Sequence, residues 1–162
     1  MIRFLPCLFI LSACVDTAPD RVEFAADSAA GEIAFELAGP GGAALLVPVH
    51  LNGQGPFQFI LDTGATVTCV DDALAAQLAL QDVRGVIGTA AGVGGQGGVR
   101  LVSVDSLRIG SVRAHELQAC VVDLEHLAGM GLDLDGLIGL NVLKEFLVTI
   151  DFERQIVTLT RP

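Results

Sequence analysis

Asp62-Thr63-Gly64 is where this chain could do chemistry. An apolar stretch, Phe59-Ile60-Leu61, runs without a break into a carboxylate, a hydroxyl residue and a glycine, and Ala65 and Thr66 follow. Burying a charge costs several kcal/mol unless it is paired or shares a proton, so an acid placed directly after Ile-Leu implies a use for it. Asp and Gly are also residues that a surface turn favours. The triplet read alone therefore leaves a plain turn open.

Other chemistries find less support. His50, His115 and His126 are far apart, with no i, i+4 pairing and no Cys-x-x-Cys, so a zinc site is not expected. Asp133-Leu134-Asp135-Gly136 resembles the opening of a calcium loop but lacks the later ligands and the closing Glu. It reads as a polar turn ahead of the apolar Leu137-Ile138. Cys69 and Cys120 have no basic residue close by in sequence to activate a thiol. No metal or other cofactor is expected.

The elements around Asp62 read mostly as short strands. Apolar residues alternate over 32–37, and Gly39-Pro40-Gly41-Gly42 makes a turn before a second strand over 45–51 that carries Pro48, expected at an edge or bulge. Asn52-Gly53-Gln54-Gly55 predicts a hairpin turn, because Asn and Gly both tolerate positive φ, and the return strand 57–61 delivers Asp62 at its end. Asp71-Asp72 can cap a helix over 73–80 in which Leu74, Ala75 and Leu78 share a face. The next stretch, 86–99, has six glycines among fourteen residues but lacks the Lys-Ser/Thr ending of a nucleotide loop. With a strand following over 99–109, it predicts a glycine-tipped hairpin. Short strands over 107–110, 111–115 and 117–122, a short helix over 142–146, and strands over 147–152 and 155–159 complete an all-β barrel or sandwich.

The N-terminus reads as an export signal. Arg3 precedes an apolar run over 4–11 that is too short to span a bilayer, and Leu11-Ser12-Ala13-Cys14 resembles the bacterial lipoprotein signal. That resemblance implies removal of residues 1–13 and lipidation of Cys14. The mature chain would then be tethered to a membrane and face the periplasm, with the outer membrane preferred because Val15, not Asp, follows the cysteine. Residues 14–31 read as a flexible tether and 32–162 as the domain. The formal net charge of −10 argues against a nucleic-acid partner. In an oxidising compartment Cys69 and Cys120 could form a disulfide, and two buried free thiols fit the sequence equally well.

Two landmarks stand in order: an apolar strand ending in Asp62-Thr63-Gly64-Ala65, and Leu137-Ile138-Gly139 before a short helix. With the glycine-rich hairpin between them, the chain resembles the retroviral-type, or retropepsin-like, aspartic proteases, above all the bacterial single-domain members with the Asp-Thr-Gly-Ala signature. The resemblance covers roughly residues 43–159. It implies an all-β barrel with one or two short helices, one lobe per chain, and an endopeptidase acting on peptide or protein substrates.

It also implies roles. Asp62 would be the general acid/base, Thr63 would brace the loop across a dimer axis, and Gly64 would turn its N–H toward the carboxylate. Ala65 and the flap residues Gly92, Val93, Gly94 and Gly95 would contact substrate. Leu137, Ile138 and Gly139 would support the loop from beside it. This chemistry uses two carboxylates sharing one proton, and the chain has one Asp-Thr-Gly. Asp105-Ser106-Leu107 lacks the glycine. Half a dyad per chain implies a symmetric homodimer. The alternative is a catalytically inactive peptide-binding or structural lipoprotein on the same fold.

Overall fold

A computed structural model describes residues 21–24, 30–92 and 95–160 of the chain. The proposed signal segment, Cys14, and the flap residues Val93 and Gly94 lie outside the described residues. In chain order the strands and helices are β1 (Arg21–Phe24), β2 (Ala30–Ala34), β3 (Glu36–Ala38), β4 (Ala44–Leu51), β5 (Gln54–Leu61), β6 (Cys69–Asp71) and α1 (Asp72–Gln77). There follow β7 (Gln81–Gly92), β8 (Gly95–Ile109), β9 (Val112–Val122), α2 (Glu125–Ala128), β10 (Gly136–Ile138), α3 (Leu140–Leu143), β11 (Leu147–Asp151) and β12 (Ile156–Thr160).

The first complete hairpin follows from its turn. Asn52 and Gly53 both sit at positive φ, 48° and 78°. This geometry matches the right-handed twist of β4 and β5 and sets Leu46 opposite Ile60 and Val47 opposite Phe59. Pro48 is tolerated because β4 changes its outer neighbour there. Residues 44–46 pair with β3 and residues 49–51 with β8, so the missing N–H falls between two ladders.

The strands β4, β5, β10, β6, β9 and β8 pair in sequence, and the β8–β9 contact closes the ring into a six-stranded barrel. Closure removes sheet edges, and the inward side chains fill the interior. Phe59, Leu51, Leu107, Leu117 and Ile138 are all fully buried there. β7 extends the sheet beyond β8 as the outer strand of the glycine-rich hairpin, and β2, β11 and β12 form a separate three-stranded sheet.

Several elements differ from expectation. The alternation over 32–37 is real, with Ile33 and Phe35 buried, but the strand is divided between two sheets. Ile33 pairs with Val157 in β12 while Leu37 pairs with Leu45 in β4. Phe35 lies at the crossing, its N–H donating to Gln155 O at 3.0 Å and its ring edge-on to Phe152 at 5.9 Å. The three short strands expected over 107–122 are the end of β8 and one continuous β9, which passes through Glu116 at a positive φ of 54°. Part of the segment read as tether belongs to the fold, since residues 21–24 pair antiparallel with β9 and Ala30 and Gly31 open β2. The helices are three rather than one or two among the described residues, and α2 was not foreseen.

β10 is held by its entry. Asp135 N–H donates to Gln58 O at 2.9 Å, Gln58 N–H donates to Asp135 Oδ2 at 2.7 Å, and Asp71 N–H donates to Asp135 O at 2.8 Å. A Cβ on Gly136 would strike the Cys69 carbonyl oxygen and the Phe59 ring, so only glycine lets β10 lie this close. Gly136→Ala is expected to destabilise the domain by about 3 kcal/mol or more, read by urea denaturation. Burial raises the Asp135 carboxyl above its ordinary range, with repulsion from Asp133 and Asp71 adding and the Gln58 N–H opposing. A folded pKa above the unfolded one favours the fold at low pH, and that contribution is lost as pH rises through the folded value. Asp135→Asn keeps an acceptor for Gln58 and should flatten the loss of stability as pH rises from about 4 toward neutrality.

Candidate active site

Leu61, the last residue of β5, lies beside Ile138 in the parallel β5–β10 pair, and this contact carries the backbone into the loop. Asp62 N–H donates to Ile138 O at 3.0 Å. The chain then turns back on itself, Ala65 N–H donating to Asp62 O at 3.3 Å and Gly64 N–H donating to Asp62 Oδ1 at 2.8 Å. A backbone N–H aimed at a carboxylate fixes its orientation. Asp62 is half-buried, while Thr63, Gly64 and Thr66 are exposed in the single chain. The acid after Ile-Leu is thus not sealed in the core. It sits at the rim of the barrel with its flanking residues facing outward.

The Leu137-Ile138-Gly139 stretch lies where the loop needs a wall. β10 runs between β5 and β6, parallel to the first and antiparallel to the second. Gly139 has ordinary extended dihedrals, φ −97° and ψ −177°, so its glycine is required by proximity and not by backbone strain. A Cβ there would fall 2.5 Å from Val67 C, 2.6 Å from Val67 O and 2.8 Å from Thr68 N. Immediately after it, Leu140 N–H donates to Ala65 O at 2.8 Å and Asn141 N–H donates to Thr66 O at 3.1 Å. The start of α3 is therefore bonded directly to the loop.

A buried polar cluster behind the loop escaped the sequence reading. Thr68 is fully buried. Its Oγ1 accepts from Gly139 N–H at 3.1 Å and donates to Asn141 Oδ1 at 2.9 Å, and Asn141 Oδ1 also accepts from Thr68 N–H at 2.8 Å. Asn141 Nδ2 donates to Gln118 O at 3.2 Å, and Cys120 N–H donates to Thr68 O at 2.9 Å. The cluster ties the returning arm of the loop to α3 and to β9. The signal available was a hydroxyl inside the apolar run Val67-Thr68-Cys69-Val70 and an amide two residues after Gly139. Cys69 and Cys120, which the sequence left open, face each other across the parallel β6–β9 pair and form a disulfide.

Of the flap residues, Gly92 and Gly95 form the last described pair of the β7–β8 hairpin. The hairpin's root carries a register shift between Asp82 and Ile87. Next to it Arg100 donates to Asp82 and to Asp72 at 2.9 Å each. All three side chains are exposed, so each pair contributes about 1 kcal/mol at most. Asp105 is exposed on β8 between the Val104–Leu117 and Ser106–His115 pairs, and is no part of the loop. A cleft of about 360 Å³ lies elsewhere, lined by Asp71, Asp72, Asp123, Glu125 and Asp133 among others. Asp71 has a structural use there, capping α1 through Ala73 N–H at 3.0 Å and accepting from Leu124 N–H at 2.9 Å.

The Thr68–Asn141 pair should behave as one unit. Thr68→Val and Asn141→Ala each leave buried polar partners unsatisfied and are expected to cost about 1–3 kcal/mol. The double variant should fall short of the sum, because the second change removes groups the first has already orphaned. Urea unfolding of the four proteins in the cycle tests this.

The comparisons agree with this architecture. Residues 47–142 match the family model described as aspartyl protease, a span that contains both the Asp62 loop and Gly139. No curated protein sequence matches. Among solved structures, 35 chains match. One is a retropepsin-like aspartic protease from Rickettsia conorii, at 17% identity and a TM-score of 0.53, covering 88% of this chain and 94% of that one. At that identity the likeness concerns the fold, and the family model spans more than half of the sequence. The chain belongs to the aspartyl protease family, and its fold is retropepsin-like.

Proposed function

We propose that the protein is an aspartic endopeptidase that works as a symmetric homodimer, each copy contributing its Asp62. The observation that carries this is the Asp62 loop: a half-buried carboxylate with a fixed Gly64 N–H, at the barrel rim, on a chain of this family. The exposed Thr63 and Thr66 support a second copy at that rim. Leu140, 38% exposed and bonded through its N–H to Ala65, adds an apolar residue next to them.

In this reading the two Asp62 carboxyls share one proton, because two like charges about 3 Å apart cannot both ionise. The ionised member takes a proton from a water as its oxygen attacks the peptide carbonyl carbon. The protonated member gives its proton to the carbonyl oxygen. The carboxyl that took the water's proton then gives it to the leaving nitrogen, and the C–N bond breaks. A hydroxyl of the gem-diol returns its proton to the other carboxylate as the new acid carbonyl forms, which restores the single shared proton. Thr63 would brace the two loops across the axis, and Ala65 would line the substrate's path. The tip at Gly92, Val93, Gly94 and Gly95 would close over an extended peptide and exclude water. A lipid on Cys14 would hold the dimer at the bacterial envelope facing the periplasm, each buried methylene contributing about 0.8 kcal/mol.

Asp62→Asn should abolish cleavage of an unfolded protein substrate while leaving the circular dichroism spectrum unchanged. Retained activity would sink the assignment. Mixing the variant with wild type at equal amounts tests the dyad separately. If each site needs both carboxylates, exchange leaves about a quarter of the dimers competent and activity falls to about a quarter, against a half for a one-chain site. A strict monomer by sedimentation, with no cleavage, favours the inactive peptide-binding alternative.

A further inference from the structure

The Cys69–Cys120 disulfide closes on the cluster that holds the Asp62 loop. Cys69 directly follows Thr68, and the bond links residues 51 apart in sequence whose Cα atoms are 4.3 Å apart. β6 is only three residues long, so little backbone pairing holds it in place. The strand across the disulfide, β9, also supplies Cys120 N–H to Thr68 O and Gln118 O to Asn141. The grip of β9 on Thr68 and Asn141 thus depends on the β6–β9 register that the disulfide fixes. Thr68 and Asn141 in turn bond Gly139 and the 62–66 turn.

We propose that the Cys69–Cys120 bond is a redox lock on the catalytic loop, holding residues 62–68 in working geometry when closed and releasing them when open. Activity is then confined to an oxidising compartment. The inference rests on the endopeptidase reading of Asp62. In closing, the two thiols lose two protons and two electrons to a disulfide donor, which leaves as a dithiol. In opening, a dithiol reductant attacks one sulfur, forms a mixed disulfide, and departs as its own disulfide with Cys69 and Cys120 as thiols. Both cysteines are buried, at 8% and 5% exposure, so exchange needs a transient parting of β6 from β9. The lock is therefore set as the chain folds and persists afterwards, in contrast to a surface pair that follows the ambient poise.

The test uses the full chain in three forms: oxidised, reduced with dithiothreitol during a brief exposure to mild urea and returned to buffer, and Cys69→Ala/Cys120→Ala. Cleavage is measured against an Asp62→Asn blank, and amide hydrogen exchange is followed by segment. The expected result is a fall in kcat/KM of tenfold or more in both open forms. Exchange should rise at least tenfold over 62–70 while β4 and the β8–β9 hairpin stay protected. Equal exchange and kcat/KM within twofold across the three forms would overturn the lock. Uniform loss of protection on opening would overturn it too, since the bond would then sustain the whole domain. If the oxidised form shows no Asp62-dependent cleavage, the endopeptidase reading fails, and exchange over 62–70 still decides whether the disulfide governs the loop.

Discussion

The structure depends on one close approach. Gly139 lies so near Val67 and Thr68 that no side chain fits between them, and this contact joins the two halves of the sequence that make the candidate site. The loop leaves β5 at Asp62 and returns through Thr68 into β6, and β10 is threaded between those strands some seventy residues later. A loop with exposed residues at its tip would ordinarily sample many conformations. Here its backbone is bonded at Asp62, Ala65 and Thr66 to Ile138, Leu140 and Asn141, so its order comes from a distant segment. Preorganisation of this kind lets a carboxylate act without being repositioned at each turnover.

The readable features in the sequence were those whose residue type is dictated locally. Asn52-Gly53 fits a turn that needs two positive φ angles, Asp71 fits a helix cap, and an acid after Ile-Leu is anomalous wherever it sits. Gly139 was legible as a site of close approach only because the family resemblance supplied its partner. What stayed hidden depends on neighbours that no local pattern encodes. The alternation of Ile33, Phe35 and Leu37 keeps period two across Phe35, and nothing in that period reveals that the strand changes sheets there. Arg21-Val22-Glu23-Phe24 stands in polar surroundings and becomes a strand because β9 offers it an edge. Thr68 and Asn141 are 73 residues apart, so their shared hydrogen bonds exist only in three dimensions.

The acidic character of the chain takes on a finer grain in the fold. Asp71 and Asp135 are committed to backbone N–H groups, one capping α1 and holding Leu124, the other fixing Gln58 at the entry to β10. Asp72 and Asp82 meet Arg100 at the root of the glycine-rich hairpin. Asp62 differs in context more than in type. Its N–H partner belongs to its own turn, and the residues beside it face outward. In a protein with nineteen acidic side chains, the candidate carboxylate is distinguished by the loop that carries it.

The pairing of β1 with β9 bears on how far a lipid-anchored form of the chain could reach. With Arg21–Phe24 paired to the barrel, an acylated Cys14 would stand seven Cα steps from Arg21, and a fully extended chain over that many steps spans about 25 Å. A longer leash would let the domain sweep the periplasm. One this short would, under the proposed lipidation of Cys14, keep it close above the lipid headgroups, so proteins anchored in the same membrane would meet it at high local concentration and freely diffusing ones would gain no such advantage. A four-residue edge strand would in this way set which substrates come within reach, although it lies outside the barrel that carries Asp62.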